Sequence, residues 1–288
     1  MRPDWNNWAW QLFPMKSSLV NSLAREMFAL YKSAGTTLPL SAREEGIDLP
    51  TACAVEAEFR RLREEEGRIV AGRKAGYANK AIWRALKLET LVWAHMYDDT
   101  VHFSVNGRSV FDLSAGQPLD ARIEPEIVFK LKHAPDAGLD AAGVLLAVEW
   151  LAVGFEIIAC PFPGWQFQPA DFVAAWGLHR GLIVGPPRAV NTDDIPALTE
   201  QLRNFKLRLL KNGQVAAEGA GRNSLLSPAL CLAEFAGAVQ RQTGCEPIKA
   251  GELFSSGTLT SAQPISPRDE WSVELEGLDI PNLTLSLH

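Results

Sequence analysis

The spacing of apolar residues is helical over much of the first ninety positions. It predicts helices over 19–30, 51–66 and 79–87. Thr51 is the expected N-cap of the second helix. Between the second and third helices, residues 68–77 are predicted to form a strand, and the glycines within it suggest a bulge or a close backbone approach. Residues 1–90 are therefore predicted to form a small N-terminal α/β part.

From residue 91 onward, short strand-like runs dominate. Asn106-Gly107 and Asn212-Gly213 each separate two such runs, a strong signal for a two-residue β-hairpin. Further strands are predicted over 123–131, 153–159, 181–184, 252–254 and 271–275, and helices over 140–151, 169–176 and 227–240. Because hairpin-linked strands outnumber helices, residues 91–288 are predicted to form a mixed α+β domain with a mainly antiparallel sheet system.

Composition excludes several classes of protein. The 288 residues are 47% hydrophobic and 22% charged, as in ordinary globular chains. The net charge of -6 argues against a nucleic-acid-binding surface. The four cysteines show no CxxC spacing and are expected to be reduced thiols, mostly buried. The sequence also lacks a Gly-rich phosphate loop and a GxSxG motif.

A cytoplasmic location is expected. The first fourteen residues lack a charged start followed by a long apolar stretch, so no signal peptide is predicted. Three tryptophans in this stretch are expected to cover an apolar patch or an oligomer contact: Trp5, Trp8 and Trp10. The most apolar window, 141–160, contains Glu149 and Glu156, each of which would cost about 2.5–3.5 kcal/mol at a bilayer centre. The window is interpreted as a buried helix, with Glu149 in a structural role, followed by a strand.

Two carboxylates stand one residue apart in an apolar run. In an extended strand, Glu124 and Glu126 point to the same face. Like charges on a buried strand face repel each other and lose hydration. The pair therefore needs nearby cations, one shared proton or a bound hard metal such as Mg²⁺ or Mn²⁺, which prefers oxygen ligands. A solvated strand face with Pro125 at an edge is the alternative.

Other single positions carry weaker signals. Glu156 lies at the centre of an apolar run, where it needs a metal or an ion-pair partner. Lys74, taken by itself, is interpreted as a surface lysine on a strand. The N–H of Gly257 and the hydroxyls of Thr258 and Thr260 suit a carboxylate, although a plain β-turn explains the same residues.

Among the histidines, no pair has the spacing of metal ligands. Each is interpreted as a surface or hydrogen-bonded side chain. His179, at a predicted helix end, is the one with a candidate role.

Four motifs, in order along most of the chain, resemble the fumarylacetoacetate hydrolase superfamily, and within it the branch of 2-oxopent-4-enoate hydratase and 4-oxalocrotonate decarboxylase. They are Gly72-Arg73-Lys74-Ala75-Gly76, Glu124-Pro125-Glu126, Glu156 in its apolar strand, and Gly257-Thr258-Leu259-Thr260 followed by Val273-Glu274-Leu275-Glu276-Gly277-Leu278. The resemblance implies a small N-terminal α/β part followed by a mixed, mainly antiparallel β-sheet roll of the fumarylacetoacetate hydrolase type.

The resemblance also implies roles for these residues. Mg²⁺ or Mn²⁺ is expected on Glu124, Glu126 and Glu156. Lys74 is expected to hold the substrate carboxylate or to move a proton, with a pKa lowered by burial and by the cation. The turn Gly257–Thr260 is expected to bind the substrate.

The implied activity is that of a hydratase. It would convert a 2-hydroxy-2,4-dienoate into a 4-hydroxy-2-oxo acid during meta-cleavage breakdown of aromatic compounds. Three alternative functions stay open: a 2-oxo-3-enedioate decarboxylase, an acylpyruvate-type C–C hydrolase, and a non-catalytic partner with the same fold. A homo-oligomer is expected, and a complex with a related decarboxylase or hydratase is a further alternative.

Two departures from the branch leave the acid/base set open. An Asp-Ser-Arg type segment usually follows the third glutamate, whereas Ala159-Cys160-Pro161 stands here. The acidic residue of a Pro-Asp-Tyr-Gly segment falls near 91–94, which contains no acid. Asp98 and Asp99 follow shortly and are the candidates for its role.

Overall fold

The computed structural model describes residues 17–113, 120–242 and 245–288. Its α-helices are α1 (Ser17–Ser33), α2 (Leu49–Glu65), α3 (Lys80–Leu86), α4 (Ala141–Leu145), α5 (Pro169–Ala174), α6 (Ile195–Asn204) and α7 (Pro228–Arg241). Its strands are β1 (Val70–Gly76), β2 (Val92–Tyr97), β3 (Val101–Phe103), β4 (Arg108–Phe111), β5 (Ala121–Leu131), β6 (Val148–Ala159), β7 (His179–Val184), β8 (Arg188–Ala189), β9 (Lys206–Lys211), β10 (Gln214–Ala220), β11 (Leu253–Ser255), β12 (Gln263–Pro264), β13 (Glu270–Glu276) and β14 (Thr284–Leu287).

These strands form two mixed sheets. The nine-stranded sheet has the order β2-β1-β11-β5-β6-β7-β3, with β12 added to β5 and β8 added to β6. The five-stranded sheet has the order β10-β9-β13-β14-β4. The pairs β1–β11, β3–β7 and β4–β14 are parallel and the other pairs are antiparallel. The predicted mixed, mainly antiparallel α+β architecture is therefore confirmed.

The main core joins the two sheets to helix α7. Its fully buried side chains include Phe129 and Leu151 from the nine-stranded sheet, Leu209 and Leu285 from the five-stranded sheet, and Phe235 from α7. A second cluster packs helices α1, α2 and α5 against the β2 end of the nine-stranded sheet. The central strands of that sheet are consequently covered, and polar side chains on them are removed from water.

Strand β1 ties the N-terminal region to the rest of the sheet. It pairs with β2 on one side and with β11 on the other. The predicted bulge and close approach are both present: the register with β2 shifts between Val70 and Gly72, and a Cβ on Gly72 would lie 2.0 Å from the Leu253 carbonyl oxygen. The division at residue 90 stays a prediction, but β1 shares one sheet with strands beyond it.

The predicted helix over 140–151 is wrong in its second half. Helix α4 ends at Leu145, and β6 pairs with β5 along its length. A short apolar run does not distinguish a buried helix from a buried strand, and Val148 and Trp150 fit the pleated, half-buried surface of a strand. Glu149 is therefore an exposed strand residue, not a helical one.

The predicted hairpin at Asn106-Gly107 is confirmed only at its turn. Asn106 and Gly107 have φ of 51° and 73°, and Val105 and Arg108 exchange both backbone hydrogen bonds. Strands β3 and β4 then separate, because β3 pairs with β7 and β4 with β14. The turn thus passes the chain between the sheets. By contrast, β9 and β10 pair along their lengths around the second Asn-Gly turn, with one register shift between Val215 and Ala217.

Helix α2 begins earlier than predicted. Its N-cap is Asp48, whose carboxylate accepts a hydrogen bond from the Thr51 N–H at 2.9 Å. Thr51 lies inside the first turn, and its hydroxyl donates to the same carboxylate. Asp and Thr are both common at N-caps, so the sequence alone did not separate the two positions.

Several sequence expectations concern the environment of the protein. Within the described ranges, no helix combines the length and the apolar character that crossing a membrane requires. The cytoplasmic location stays a prediction. Trp5, Trp8 and Trp10 lie outside the described residues. All four cysteines are unpaired thiols, as expected, but only two of the four are buried and the other two are partly exposed.

Gly72→Ala tests the close contact between β1 and β11. We expect the variant to lose about 1–3 kcal/mol of unfolding free energy or more, because the new methyl group meets backbone rather than a movable side chain. Urea unfolding measures the loss. Glu218→Ala, at an exposed position of β10, is the control and should stay within about 0.5 kcal/mol. Wild-type stability in Gly72→Ala would contradict the observed packing.

Candidate active site

Strands β5 and β6 bring three acidic side chains together. Glu124 lies directly opposite Glu156 in the antiparallel ladder, and Glu126 points to the same face two residues along β5. One oxygen of each carboxylate lies within 4.8 Å of the others. Glu126 and Glu156 are fully buried, whereas Glu124 is partly exposed. Glu124 is therefore the member of the cluster that solvent or a ligand reaches.

The chain that leaves β11 holds Glu126. The Ser255 hydroxyl and the Gly257 N–H both donate hydrogen bonds to Glu126 Oε2, the latter at 2.9 Å. Gly257 has a φ of 82°, and a Cβ there would lie 3.0 Å from Ala78 Cβ, so this contact requires glycine. Oε1 of Glu126 is buried and has no hydrogen-bond partner among the described residues.

Lys74 enters the cluster from strand β1. Its side chain is buried, with Nζ 2.9 Å from Glu156 Oε2 and 3.2 Å from the Gly177 carbonyl oxygen, to which it donates. The Phe172 ring lies beneath the ammonium group, at 4.9 Å from centroid to Nζ. In the β1–β11 ladder, Lys74 is the partner of Ser255. The interpretation of Lys74 as a surface lysine is therefore wrong.

A strained turn before β7 supplies the carbonyl group that Lys74 contacts. Trp176, Gly177 and Leu178 all have positive φ, of 48°, 62° and 59°. A Cβ on Gly177 would lie 3.1 Å from Lys74 Cδ. Non-glycine residues in this left-handed region cost about 1–3 kcal/mol each and persist where their surroundings fix them. The turn also places His179 at the start of β7.

His179 orients Glu156 from the side opposite to Lys74. Its Nδ1 lies 2.8 Å from Glu156 Oε1 and its Nε2 lies 3.0 Å from the Thr100 hydroxyl oxygen. Since a carboxylate only accepts hydrogen bonds, Nδ1 is the donor to Glu156. Burial lowers the pKa of His179, so the ring is neutral near pH 7. The imidazole therefore fixes Glu156 by hydrogen bonding rather than by charge.

The buried charged groups of the cluster change one another's pKa values. Burial raises the pKa of Glu124 to about 7 and that of Glu126 well above its ordinary value, and Glu156 contributes to both shifts. The pKa of Glu156 is lowered, because Lys74 and His179 together outweigh its burial. Burial lowers the pKa of Lys74, but the three carboxylates outweigh it and the net shift is upward.

These shifts describe the protein groups alone. The pKa of Lys74 was expected to be lowered by burial and by a bound cation. Among the protein groups burial does lower it, but the net shift is upward, opposite to that expectation. Two carboxyl groups, Glu124 and Glu126, resist ionisation in this environment. A bound divalent cation would invert this balance, because its charge exceeds that of any single side chain nearby.

The donor set fits a hard divalent cation. In an octahedral site with bonds of about 2.1 Å, ligand oxygens are about 3 Å apart when adjacent and about 4.2 Å apart when opposite. The oxygens of Glu124, Glu126 and Glu156 are compatible with this spacing. The unpartnered Oε1 of Glu126 is a buried acceptor that a cation would satisfy. Three protein ligands would leave three positions for water and substrate.

Asp98 and Asp99 are occupied by other contacts. The Asp98 carboxylate accepts the Ile69 N–H at 3.0 Å. The Asp99 carboxylate pairs with Arg63 at 2.6 Å and with Arg68 at 3.2 Å. Neither acid belongs to the carboxylate cluster. Their catalytic role stays a prediction.

The turn Gly257–Thr260 lies beside the cluster but is largely self-contained. The Gly257 N–H, expected to meet a substrate carboxylate, donates to Glu126. The Thr258 hydroxyl donates to the Thr260 carbonyl oxygen at 2.9 Å, and the Thr260 hydroxyl donates to the Ser261 carbonyl oxygen at 3.0 Å. The substrate-binding role of these residues stays a prediction.

Sequence reasoning missed Ser255 as a group that positions a carboxylate, and it gave His179 a candidate role without identifying its partner. Ser255 lies one residue beyond the predicted strand 252–254, and no local pattern marked it. His179 had a candidate role at a helix end, but its contact with Glu156 depends on the β6–β7 register, which no local pattern encodes.

Comparison with known proteins places these features in context. No protein-family model matches the chain. A 2-hydroxyhexa-2,4-dienoate hydratase of Comamonas testosteroni is 28% identical over 260 residues, which cover 90% of this chain and 94% of that protein. A 4-oxalocrotonate decarboxylase of Pseudomonas sp. (strain CF600) is 30% identical over 227 residues, covering 78% and 80%.

A solved structure shares the fold. The 4-oxalocrotonate decarboxylase from Pseudomonas putida G7, complexed with magnesium and adipate, superimposes with a TM-score of 0.81 at 24% identity. The match covers 94% of this chain and 98% of that one.

His179→Asn tests whether this ring positions Glu156. The shorter side chain cannot reach both Glu156 and Thr100, so we expect Mg²⁺ affinity to fall by about 10–100-fold. Calorimetric titration with Mg²⁺ measures the change. His133→Asn is the matched control, because His133 is exposed and its Nδ1 lies 3.1 Å from the carbonyl oxygen of the neighbouring Ala134. Unchanged affinity in His179→Asn would rule out the positioning role.

Proposed function

The chain belongs to the family of 2-hydroxydienoate hydratases and 4-oxalocrotonate decarboxylases, a branch of the fumarylacetoacetate hydrolase superfamily, and we propose that it is a metal-dependent hydratase of a small 2-hydroxy-2,4-dienoate. The product would be a 4-hydroxy-2-oxo acid, as in meta-cleavage breakdown of aromatic compounds. The observation that carries the proposal is the buried cluster of Glu124, Glu126 and Glu156 with Lys74 ion-paired to it at 2.9 Å.

We assign Mg²⁺ or Mn²⁺ to the carboxylate cluster. Glu124, Glu126 and Glu156 would hold the ion, which would act as a Lewis acid toward the oxygens of a 2-oxo acid. Magnesium in the solved decarboxylase structure supports this assignment. Ser255 and Gly257 orient Glu126, and His179 orients Glu156, so the ligand set is preorganised.

Lys74 is the group in the cluster best placed to move protons. Conversion of the dienol to a 2-oxo-3-enoate removes the proton of the 2-hydroxyl group and adds one at C5. Hydration then adds the OH of water at C4 and a proton at C3. We assign to Lys74 Nζ the delivery of a proton to the carbon chain and its recovery from the enol oxygen. Glu156 and the Gly177 carbonyl oxygen hold the ammonium group in place.

Decarboxylation of a 2-oxo-3-enedioate is the second candidate activity. The relative with 30% identity is a 4-oxalocrotonate decarboxylase. In that reaction the bond to the carboxylate remote from the 2-oxo group breaks and CO₂ leaves. The electron pair of that bond moves into the conjugated 2-oxo-3-ene, which becomes a 2-hydroxy-2,4-dienoate once its oxygen takes up a proton. The acylpyruvate-type hydrolase alternative rests on the fold alone. The homo-oligomer and the complex with a related enzyme stay predictions.

Glu124→Gln tests the metal site. It removes one charged ligand with little change in volume, so Mg²⁺ affinity should fall by more than the roughly 10–100-fold typical of outer-sphere changes. Turnover of 2-hydroxypenta-2,4-dienoate should fall by at least the same factor as Mg²⁺ affinity. Dienoate absorbance, recorded with and without Mg²⁺, measures this turnover. Glu149→Gln, exposed on β6, is the control. Wild-type affinity and turnover in Glu124→Gln would refute the assignment.

The same assay separates the candidate activities. CO₂ release from 4-oxalocrotonate would identify the decarboxylase. Loss of dienoate absorbance without CO₂ would identify the hydratase. Mg²⁺ binding without turnover of either compound would indicate another substrate, and absence of Mg²⁺ binding would indicate the non-catalytic partner.

Lys74→Met tests the proton carrier separately from the metal. We expect kcat to fall by about 10²–10⁴-fold, the usual contribution of general acid–base catalysis. Mg²⁺ affinity should not weaken, because the substitution removes a positive charge from the neighbourhood of the ion. Lys206→Met, at an exposed position, is the control. An unchanged kcat in Lys74→Met would contradict the assigned role.

A further inference from the structure

A cavity of about 410 Å³ lies beside the turn that joins β2 to β3. Its volume is in the range of small-molecule sites. The lining comes from helices α1 and α2, from strands β3, β4 and β7, and from Thr100 in the turn. Neither the three glutamates of the carboxylate cluster nor Lys74 lines it. The cavity is therefore a separate feature of the molecule.

The walls of this cavity carry an excess of positive charge. Among the described residues that line it or pair with its lining, four are cationic and three are acidic: Lys32, Arg63, Arg68 and Arg180 against Glu66, Asp99 and Asp112. The chain as a whole has a net charge of -6. A local excess of the opposite sign attracts anions to this place on an otherwise acidic protein.

Two guanidinium groups in the lining approach the same aromatic ring. The central carbons of Arg63 and Arg180 lie 4.9 Å and 4.5 Å from the centroid of the Tyr31 ring. Burial and the charge of Arg63 both lower the pKa of Arg180. Arg63 is almost fully buried, and its Nε has no hydrogen-bond partner among the described residues. A bound anion would reduce the repulsion and accept from this donor.

The rest of the lining includes apolar surface. Tyr31 and Phe111 contribute aromatic rings, and Val110 is exposed beside them. Cationic groups on one side and apolar groups on the other fit a molecule with an anionic head and an apolar body. A singly charged head matches the excess of one positive charge. We propose that this cavity is a second binding site, which takes a small monocarboxylic acid with an apolar body.

Thr100 connects this cavity to the support of the metal ligands. Its hydroxyl oxygen lies 3.0 Å from His179 Nε2, and His179 Nδ1 donates to Glu156. A carboxylate bound beside Thr100 would compete for its hydroxyl proton and loosen the support of Glu156. The acid and Mg²⁺ would then weaken each other's binding by the same factor, as linkage requires. This consequence rests on the proposed function, whereas the binding of the acid does not.

Benzoate and benzamide form the pair of probes for this site, because they have nearly the same shape and differ in charge. Calorimetry on metal-free wild-type protein should show benzoate binding about 10–100-fold more tightly, as expected for hydrogen bonds to a charged group. Arg180→Gln should bring the two affinities within about 3-fold. Equal affinities in wild-type protein, or no binding of either probe, would overturn the inference.

Substitutions at Val110 test the location without disturbing the core, since this side chain is exposed on β4. Val110→Glu should weaken benzoate binding by about 3–10-fold, and Val110→Lys should not weaken it. Val215→Glu is the control, because Val215 is exposed on β10 at the opposite edge of the five-stranded sheet. The same affinity in Val110→Glu and Val110→Lys would exclude this cavity as the site of benzoate binding.

Measurements with Mg²⁺ separate the two sites. Saturating benzoate should weaken Mg²⁺ binding to wild-type protein by about 5-fold or more, and Thr100→Val should remove this effect while still binding benzoate. Persistence of the effect in Thr100→Val would contradict the connection through Thr100. Benzoate binding that requires Mg²⁺ would place the acid at the carboxylate cluster and overturn the inference. If Mg²⁺ does not bind, the proposed function fails, but benzoate should still bind.

Discussion

Mutual repulsion among three carboxylates on two adjacent strands is the constraint around which this structure is arranged. The register of β5 and β6 places Glu124 directly opposite Glu156, and the pleat places Glu126 on the same face. Burial makes the repulsion more expensive. Lys74 offsets it from β1, Ser255 and Gly257 from the end of β11, and His179 from the start of β7. A divalent cation would offset the negative charge that these contacts leave uncompensated.

The order of strands explains how distant parts of the chain reach one site. Strand β11 lies between β1 and β5, so the ends of three strands that are far apart in sequence meet beside the carboxylates. The tight β1–β11 contact at Gly72 fixes the level of Lys74 relative to Ser255. The strained turn around Gly177 then supplies the carbonyl oxygen that accepts a hydrogen bond from Lys74. The shape of the site thus follows from backbone geometry as much as from side-chain identity.

The sequence predicted those parts of the site that depend on local pattern. Strand alternation placed Glu124 and Glu126 on one face, and the centre of an apolar run marked Glu156 as needing a partner. Local pattern did not predict the parts of the site that depend on the register between strands. The contact of His179 with Glu156 is one of these parts. The helix predicted through Val148 and the strand pairing predicted around the Asn106-Gly107 turn were wrong for the same reason, because contacts with other strands determined the structure.

The central claim is that Glu124, Glu126 and Glu156 jointly hold one divalent cation. Anomalous scattering from crystals soaked in Mn²⁺ tests it most directly. The account predicts one strong peak within about 2.1 Å of an oxygen from each of the three carboxylates. A soaked crystal with no peak among them, or with Mn²⁺ bound only elsewhere, would contradict it.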